Sequence, residues 1–185
     1  MNIFLIAIVI IAIVIVLLYN SLISKKNQVE NIYASVDTLL KKRFDLIPSL
    51  VATVQESMKH EKSTLEEITA LRSSAIKGGV TSDQMAGIDS KLSSLLGSIM
   101  VAVEDYPELK ANDNTLNLQH SLNEIEEQLS AARRAFNQVV TDYNNAIEMF
   151  PTNILARYMM FSRKQVFAIN ESEKKNPNIK ELFSK

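Results

Sequence analysis

A chain of 185 residues, 46% hydrophobic and 22% charged, with net charge −1, has the size of one ordinary domain and not of a two-lobed cofactor enzyme. The absence of Cys excludes disulfides, thiolate metal centres and a Cys nucleophile, and four Gly with four Pro are too few for the turns of an all-β fold. Near-neutral charge also argues against a nucleic-acid binder that works through bulk positive charge.

The averages conceal a partition. Residues 1–24 carry no charged side chain, so all 20 basic and all 21 acidic residues fall from Lys25 onward. Every residue from Ile3 to Leu18 is apolar, and extension to Ile23 gives a segment whose helical length of about 30 Å matches the hydrocarbon core of a bilayer. No Lys or Arg precedes the run and no small-residue cleavage pattern follows it, so it reads as one transmembrane anchor over residues 1–24 and not as a cleaved signal. Lys25, Lys26, Lys41, Lys42 and Arg43 crowd its C-terminal flank, which predicts an N-terminus outside and a cytoplasmic domain.

From Val29 the apolar residues recur at steps of three and four through Ile32, Val36, Leu39, Leu46, Leu50, Val54, Met58, Leu65, Ile68 and Ile76, the stripe of an amphipathic helix. Gly78-Gly79 ends it, and Pro48 interrupts it. A kink is expected at Pro48, since no Gly or Asn nearby offers a reversal; the alternative is a break that makes four helices out of three. A second helix opens at Thr81-Ser82-Asp83-Gln84, a capping box, and presents Met85, Ile88, Leu92, Leu95, Ile99 and Val103 before it stops ahead of Tyr106-Pro107. Residues 105–112 read as a loop, with Asn112, Asp113 and Asn114 as possible caps of a third helix.

That third helix has the most regular pattern in the chain: Leu118, Leu122, Ile125, Leu129, Ala132, Phe136, Val139, Tyr143, Ala146 and Phe150. Such a 4-3 repeat is the seam of a coiled-coil-like bundle. If the loop before it is stretched, the third helix starts near the membrane and the bundle runs up-down-up. Met58, Met85, Met100 and Met149 read as core filling. After Pro151 the character changes, since residues 157–185 hold seven Lys/Arg against three Asp/Glu while residues 25–156 hold thirteen against eighteen. Ile154 to Phe167 reads either as a closing segment on the bundle or as an amphipathic surface for anionic lipid or a partner helix. Residues 169–185 read as a polar tail.

Motifs that carry chemistry are few. His60-Glu61-Lys62-Ser63-Thr64 starts like H-E-x-x-H but lacks the second His. His60 with Glu56, and His120 with Glu124, are one-turn neighbours that suit surface pairing. Neither a phosphate-binding Gly loop nor a G-x-S-x-G elbow is present. Arg43 takes a stripe position, so its charge points at the bundle and must be paired; Asp142 and Glu148 are the expected partners, with Tyr143 and Asn144 adding hydrogen bonds. No catalytic residue, metal or cofactor is expected.

The ordered series Arg43-Phe44-Asp45-Leu46-Ile47-Pro48-Ser49-Leu50-Val51, Lys59-His60-Glu61, Tyr106-Pro107-Glu108-Leu109-Lys110-Ala111-Asn112, Ala132-Arg133-Arg134-Ala135-Phe136-Asn137, Asp142-Tyr143-Asn144 and Phe150-Pro151 resembles the LemA family of bacterial membrane-anchored helical proteins. The resemblance implies an all-α fold, a transmembrane helix followed by an antiparallel bundle of three to four long helices over residues 25–168, and a family without an established catalytic activity. Arg43, Asp45, Pro48, Arg133, Arg134, Asp142, Tyr143 and Asn144 are the candidate structural or interaction motif. The expected role is a non-enzymatic interaction or scaffold module at the inner face of the bacterial membrane, with an unidentified protein partner and no nucleic acid. A homo-oligomeric assembly is one alternative, and a regulator with a ligand or metal site near Arg43, Asp45 and His60 is another.

Overall fold

The computed structural model describes residues 2–77 and 82–167, and among them every regular element is helical. Helix α1 runs from Asn2 to Val54, α2 from Lys62 to Ile76, α3 from Ser82 to Val103, α4 from Pro107 to Lys110, α5 from Asp113 to Glu148 and α6 from Thr152 to Tyr158. Side chains from Ile3 to Leu17 are exposed on all sides of α1, which by length and composition can cross a membrane. Helix α3 passes the same length and composition test, yet it is a member of the bundle, with Leu92 and Ile99 fully buried. Gly78, Gly79 and Thr81, the expected helix stop and capping box, lie outside the described residues, as do residues 169–185.

From Leu22, at the end of the apolar run, α1 buries Leu22, Val29, Val36, Leu40, Ile47, Leu50 and Val54, a seven-residue repeat that α5 answers with Leu122, Leu129, Phe136 and Tyr143. The Tyr33 ring meets Phe136 at 5.8 Å between centroids and Arg43 meets Glu126 at 2.8 Å, so the two helices are antiparallel. The third helix of the sequence therefore starts at the far end of the bundle and returns toward the apolar segment, which corrects the expected up-down-up course.

The correction comes from an extra reversal. The stripe read as one helix to Lys77 is two helices: α1 continues through Pro48 and stops at Val54, where Gln55 N–H and Met58 N–H donate to Val51 O and Val54 O at 3.0 and 2.9 Å. A 3-10 turn at Lys59–Glu61 then leads into α2. Met58 is fully buried at the turn, so the 3-4 spacing carries across it and conceals it. Lys91 pairs with Glu67, and Arg72 reaches Phe44, so α2 descends and α3 climbs beside it. The bundle is thus up-down-up-down, the four-helix alternative, with the break after Val54 and not at Pro48, where a kink was expected.

Two smaller corrections have local causes. The expected loop at 105–112 contains the single turn α4, which buries Leu109, and Asn112 caps α5 by accepting from Asn114 N–H and Thr115 N–H at 2.8 and 3.3 Å. Phe150, placed at the end of the seam, is exposed because α5 ends at Glu148; Met149, expected in the core, is exposed for the same reason. Val140, Asn144 and Ile147 are buried beside the seam because α5 carries the C-terminal segment on a second flank.

Candidate functional site

Arg43 is the centre of a buried ion cluster that ties three helices. Its Nη1 donates to Asp89 Oδ1 at 2.8 Å and to Ser93 Oγ at 2.9 Å, both on α3, and lies 2.8 Å from Glu126 Oε2 on α5. Arg133, also on α5, pairs with the other oxygen of Asp89 and stands 3.9 Å from Glu126 Oε1. Two guanidinium and two carboxylate groups alternate, so the formal charges cancel. Arg43 and Asp89 are 4% and 2% exposed, which makes mutual neutralisation the condition for their burial. Burial lowers the Arg43 pKa and Glu126 raises it again; the guanidinium stays charged at any physiological pH.

These partners replace the expected ones. Asp142 instead accepts from Gln138 Nε2 at 3.1 Å, and Glu148 pairs with Arg163 at 2.7 Å. Asp89 has a signal that sequence reasoning passed over: it stands on the apolar face of α3 between Met85 and Leu92, as Arg43 does on α1.

Pro48 is tolerated inside α1 for a specific reason. A proline has no N–H, so the carbonyl four residues earlier, that of Phe44, loses its intrahelical donor. Arg72 Nε on α2 donates to that oxygen at 3.0 Å. The returning helix thus supplies the hydrogen bond that the proline removes, and the helix crosses Pro48 intact.

On the opposite flank of α5, two asparagines hold the chain after α6. Asn144 Nδ2 donates to Lys164 O at 2.9 Å while its Oδ1 accepts from Lys164 N–H at 2.9 Å. Asn137 does the same with Phe167, at 3.1 and 2.7 Å. Seven helical residues advance about 10.5 Å and three extended residues about 10 Å, so the two side-chain amides mimic the edge of a strand. Tyr143 O–H donates to Ser162 O at 3.1 Å, and Phe167 packs on Phe136 and Tyr33. Burial pushes the Tyr143 phenol pKa up, and the negative charge of Glu30 adds to the rise. Asn137 was not singled out from sequence; its heptad spacing from Asn144 is the signal that could have found it.

The remaining candidates do not converge on these groups. Asp45 is exposed on α1, Arg134 is exposed and donates to Ser130 Oγ at 2.9 Å, and His60 is exposed in the far turn. Arg43, Asp45 and His60 therefore share no pocket. Among the described residues, no group of three or more His, Asp or Glu side chains is placed to hold a metal ion. A cavity of about 530 Å³ opens at the far end, lined by Val51, Met58 and Leu65 with Gln55, Glu56 and Lys59 at its rim. Its charged side chains pair locally, Glu56 with Lys59 and Lys62 with Glu66, each at 3.7 Å.

Known proteins match this sequence. A LemA family model covers residues 32–180. Protein LemA of Metamycoplasma hominis is 25% identical over 163 residues, 88% of this chain and 74% of that protein. Magnetosome protein MamQ 2 of Paramagnetospirillum magneticum and Magnetosome protein MamQ of Magnetospirillum gryphiswaldense are each 31% identical over 83 residues, 45% of this chain but only 30% of theirs. With the family match covering residues 32–180, most of the chain, and the chain helical as the motif series implied, the chain belongs to the LemA family.

Proposed function

We propose that the protein is a non-catalytic interaction module held at the inner face of the bacterial membrane, its N-terminus outside and its bundle in the cytoplasm. The observation that carries this reading is that α1 is both anchor and bundle helix: the apolar run of Ile3 to Leu17 continues without interruption into the buried stripe that ends at Val54. A rigid support of this kind fixes the bundle's height and angle above the bilayer, which suits a protein that works by contact. The motif polar groups favour the same role. Arg43, Arg133, Tyr143 and Asn144 are engaged with Asp89, Ser162 and Lys164, leaving them to set helix register and not to bind a ligand. The cations Lys25, Lys26, Lys41, Lys42 and Arg43 on the C-terminal flank of the span support the cytoplasmic side.

In-cell photocrosslinking tests the role. A benzophenone residue placed at exposed positions Glu104, His120 and Gln128 is expected to give discrete adducts with another protein. No adduct at any of them would overturn the reading, and adducts with a second copy alone would replace it with a homo-oligomer. A reporter fused after Lys185 tests the side, with external activity contradicting the cytoplasmic assignment.

A further inference from the structure

Exposed apolar side chains beyond the span are not scattered evenly. Among the described residues after Tyr19, nine large hydrophobic side chains are exposed, and five of them, Met149, Phe150, Ile154, Tyr158 and Met160, fall within twelve residues. Their exposure runs from 63% for Met149 to 88% for Met160. A cluster of this kind marks a surface that meets something apolar.

The register of the bundle says what. Because Arg43 on α1 faces Glu126 on α5 and the helices are antiparallel, the 22 residues from Glu126 down to Glu148 bring the end of α5 abreast of about Ser21. Ser21 lies inside the apolar run that ends at Ile23. Helix α6 packs on both α1 and α5 at this level, and Leu22, within the apolar run, is fully buried. The exposed cluster therefore sits where α1 leaves the bilayer.

Its chemistry matches an interface. Ile154 and Tyr158 are one turn apart on α6, and Arg157 lies between them, so apolar and cationic groups share one short helix. Lys25 and Lys26 on α1 stand at the same height, whereas Arg163 is taken up by Glu148. Met160 adopts a left-handed backbone with φ 54°, a conformation that favours glycine, and its 88% exposed side chain makes no contribution to the core.

We propose that residues 149–160 form a second membrane contact, in which Phe150, Ile154, Tyr158 and Met160 enter the headgroup region of the leaflet that α1 leaves and Arg157 meets anionic lipid phosphates. The occupant of this face is the bilayer itself, and the contact rests on α1 being a membrane span. It fixes the bundle at two points, the span and the end segment, so the bundle cannot tilt freely about α1.

The Cys-free chain makes the test clean, because one introduced cysteine carries the only label. Full-length Ile154→Cys, Tyr158→Cys, Ile10→Cys and His120→Cys, each labelled with the fluorophore NBD, are reconstituted in phosphatidylglycerol/phosphatidylcholine vesicles that contain lipid with a shallow acyl-chain nitroxide. Labels at positions 154 and 158 are expected to be quenched several-fold more than the label at 120 and to be shielded from aqueous iodide. Equal quenching at 154, 158 and 120, with position 10 strongly quenched by a nitroxide deep in the acyl chain, would overturn this contact and leave the anchor standing. Loss of quenching at position 10 as well would overturn both. Shielding that grows with the protein-to-lipid ratio, without lipid quenching, would assign the face to a second copy and overturn the proposal.

Discussion

Asp89 decides whether two arginines can stay buried. With Arg43 on one carboxylate oxygen and Arg133 on the other, Asp89→Asn leaves two cations facing one remaining carboxylate, Glu126, and should cost about 3–5 kcal/mol. Asp45→Asn, at an exposed position, should cost less than about 0.5 kcal/mol. Urea unfolding of the two variants checks the contrast, and equal midpoints would contradict the cluster. Tyr143 sets a pH dependence of a defined sign. Its folded pKa is raised, so the folded state holds the phenolic proton more tightly; the resulting stability is complete below about pH 10, the value of a free tyrosine, and is lost as pH rises through the folded value. Tyr143→Phe should lose about 1 kcal/mol at neutral pH with the bond to Ser162 and flatten the alkaline fall, both readable in thermal melts. Arg43 could be recognised from sequence as an inward charge because it interrupts an apolar stripe. Asp89 is legible as an inward charge in the same way, but its pairing with Arg43 is not, since that depends on which helix faces α1, and this is set by a turn with no sequence signature.

At the scale of elements, the Pro48 account rests on a carbonyl and its substitute donor. Arg72→Leu should destabilise the bundle by about 1–2 kcal/mol while Pro48 is present, but by distinctly less in a Pro48→Ala background, where the alanine N–H can serve Phe44 O. A double-mutant cycle measures this coupling; purely additive effects would show that Arg72 does not stand in for the missing bond. The seam of α5 is tested by Leu129, fully buried: Leu129→Ala should cost about 2–5 kcal/mol, and Leu129→Asp should abolish the cooperative melt seen by circular dichroism. This element was the most legible part of the sequence, because a 4-3 repeat over ten positions has no other helical explanation. The reversal at Gln55 to Met58 was the least legible. It contains no Gly, Pro or Asn, and Met58 keeps the helical rhythm while the chain turns, so a hairpin looked like continuous helix. The docking of residues 161–167 on Asn137 and Asn144 was hidden for a similar reason: side-chain amides that bind backbone leave no mark on hydrophobic spacing.

For the whole molecule, composition and patterning gave the class, a helical bundle behind an apolar segment, while topology depended on one unsignalled turn. The four-helix course places the far turn and the start of α5 at one end and α6 at the other, beside the apolar run. Helix α1 is one stiff rod that carries position from its apolar segment into the bundle. Nitroxide labels at Tyr19→Cys and Ala52→Cys, in the full chain in lipid nanodiscs, lie 33 residues apart on that rod, or about 50 Å at 1.5 Å per residue. Pulsed electron–electron resonance should return a single narrow distance near that value. A broad distribution, or a distance shortened by a bend at Pro48, would contradict the account.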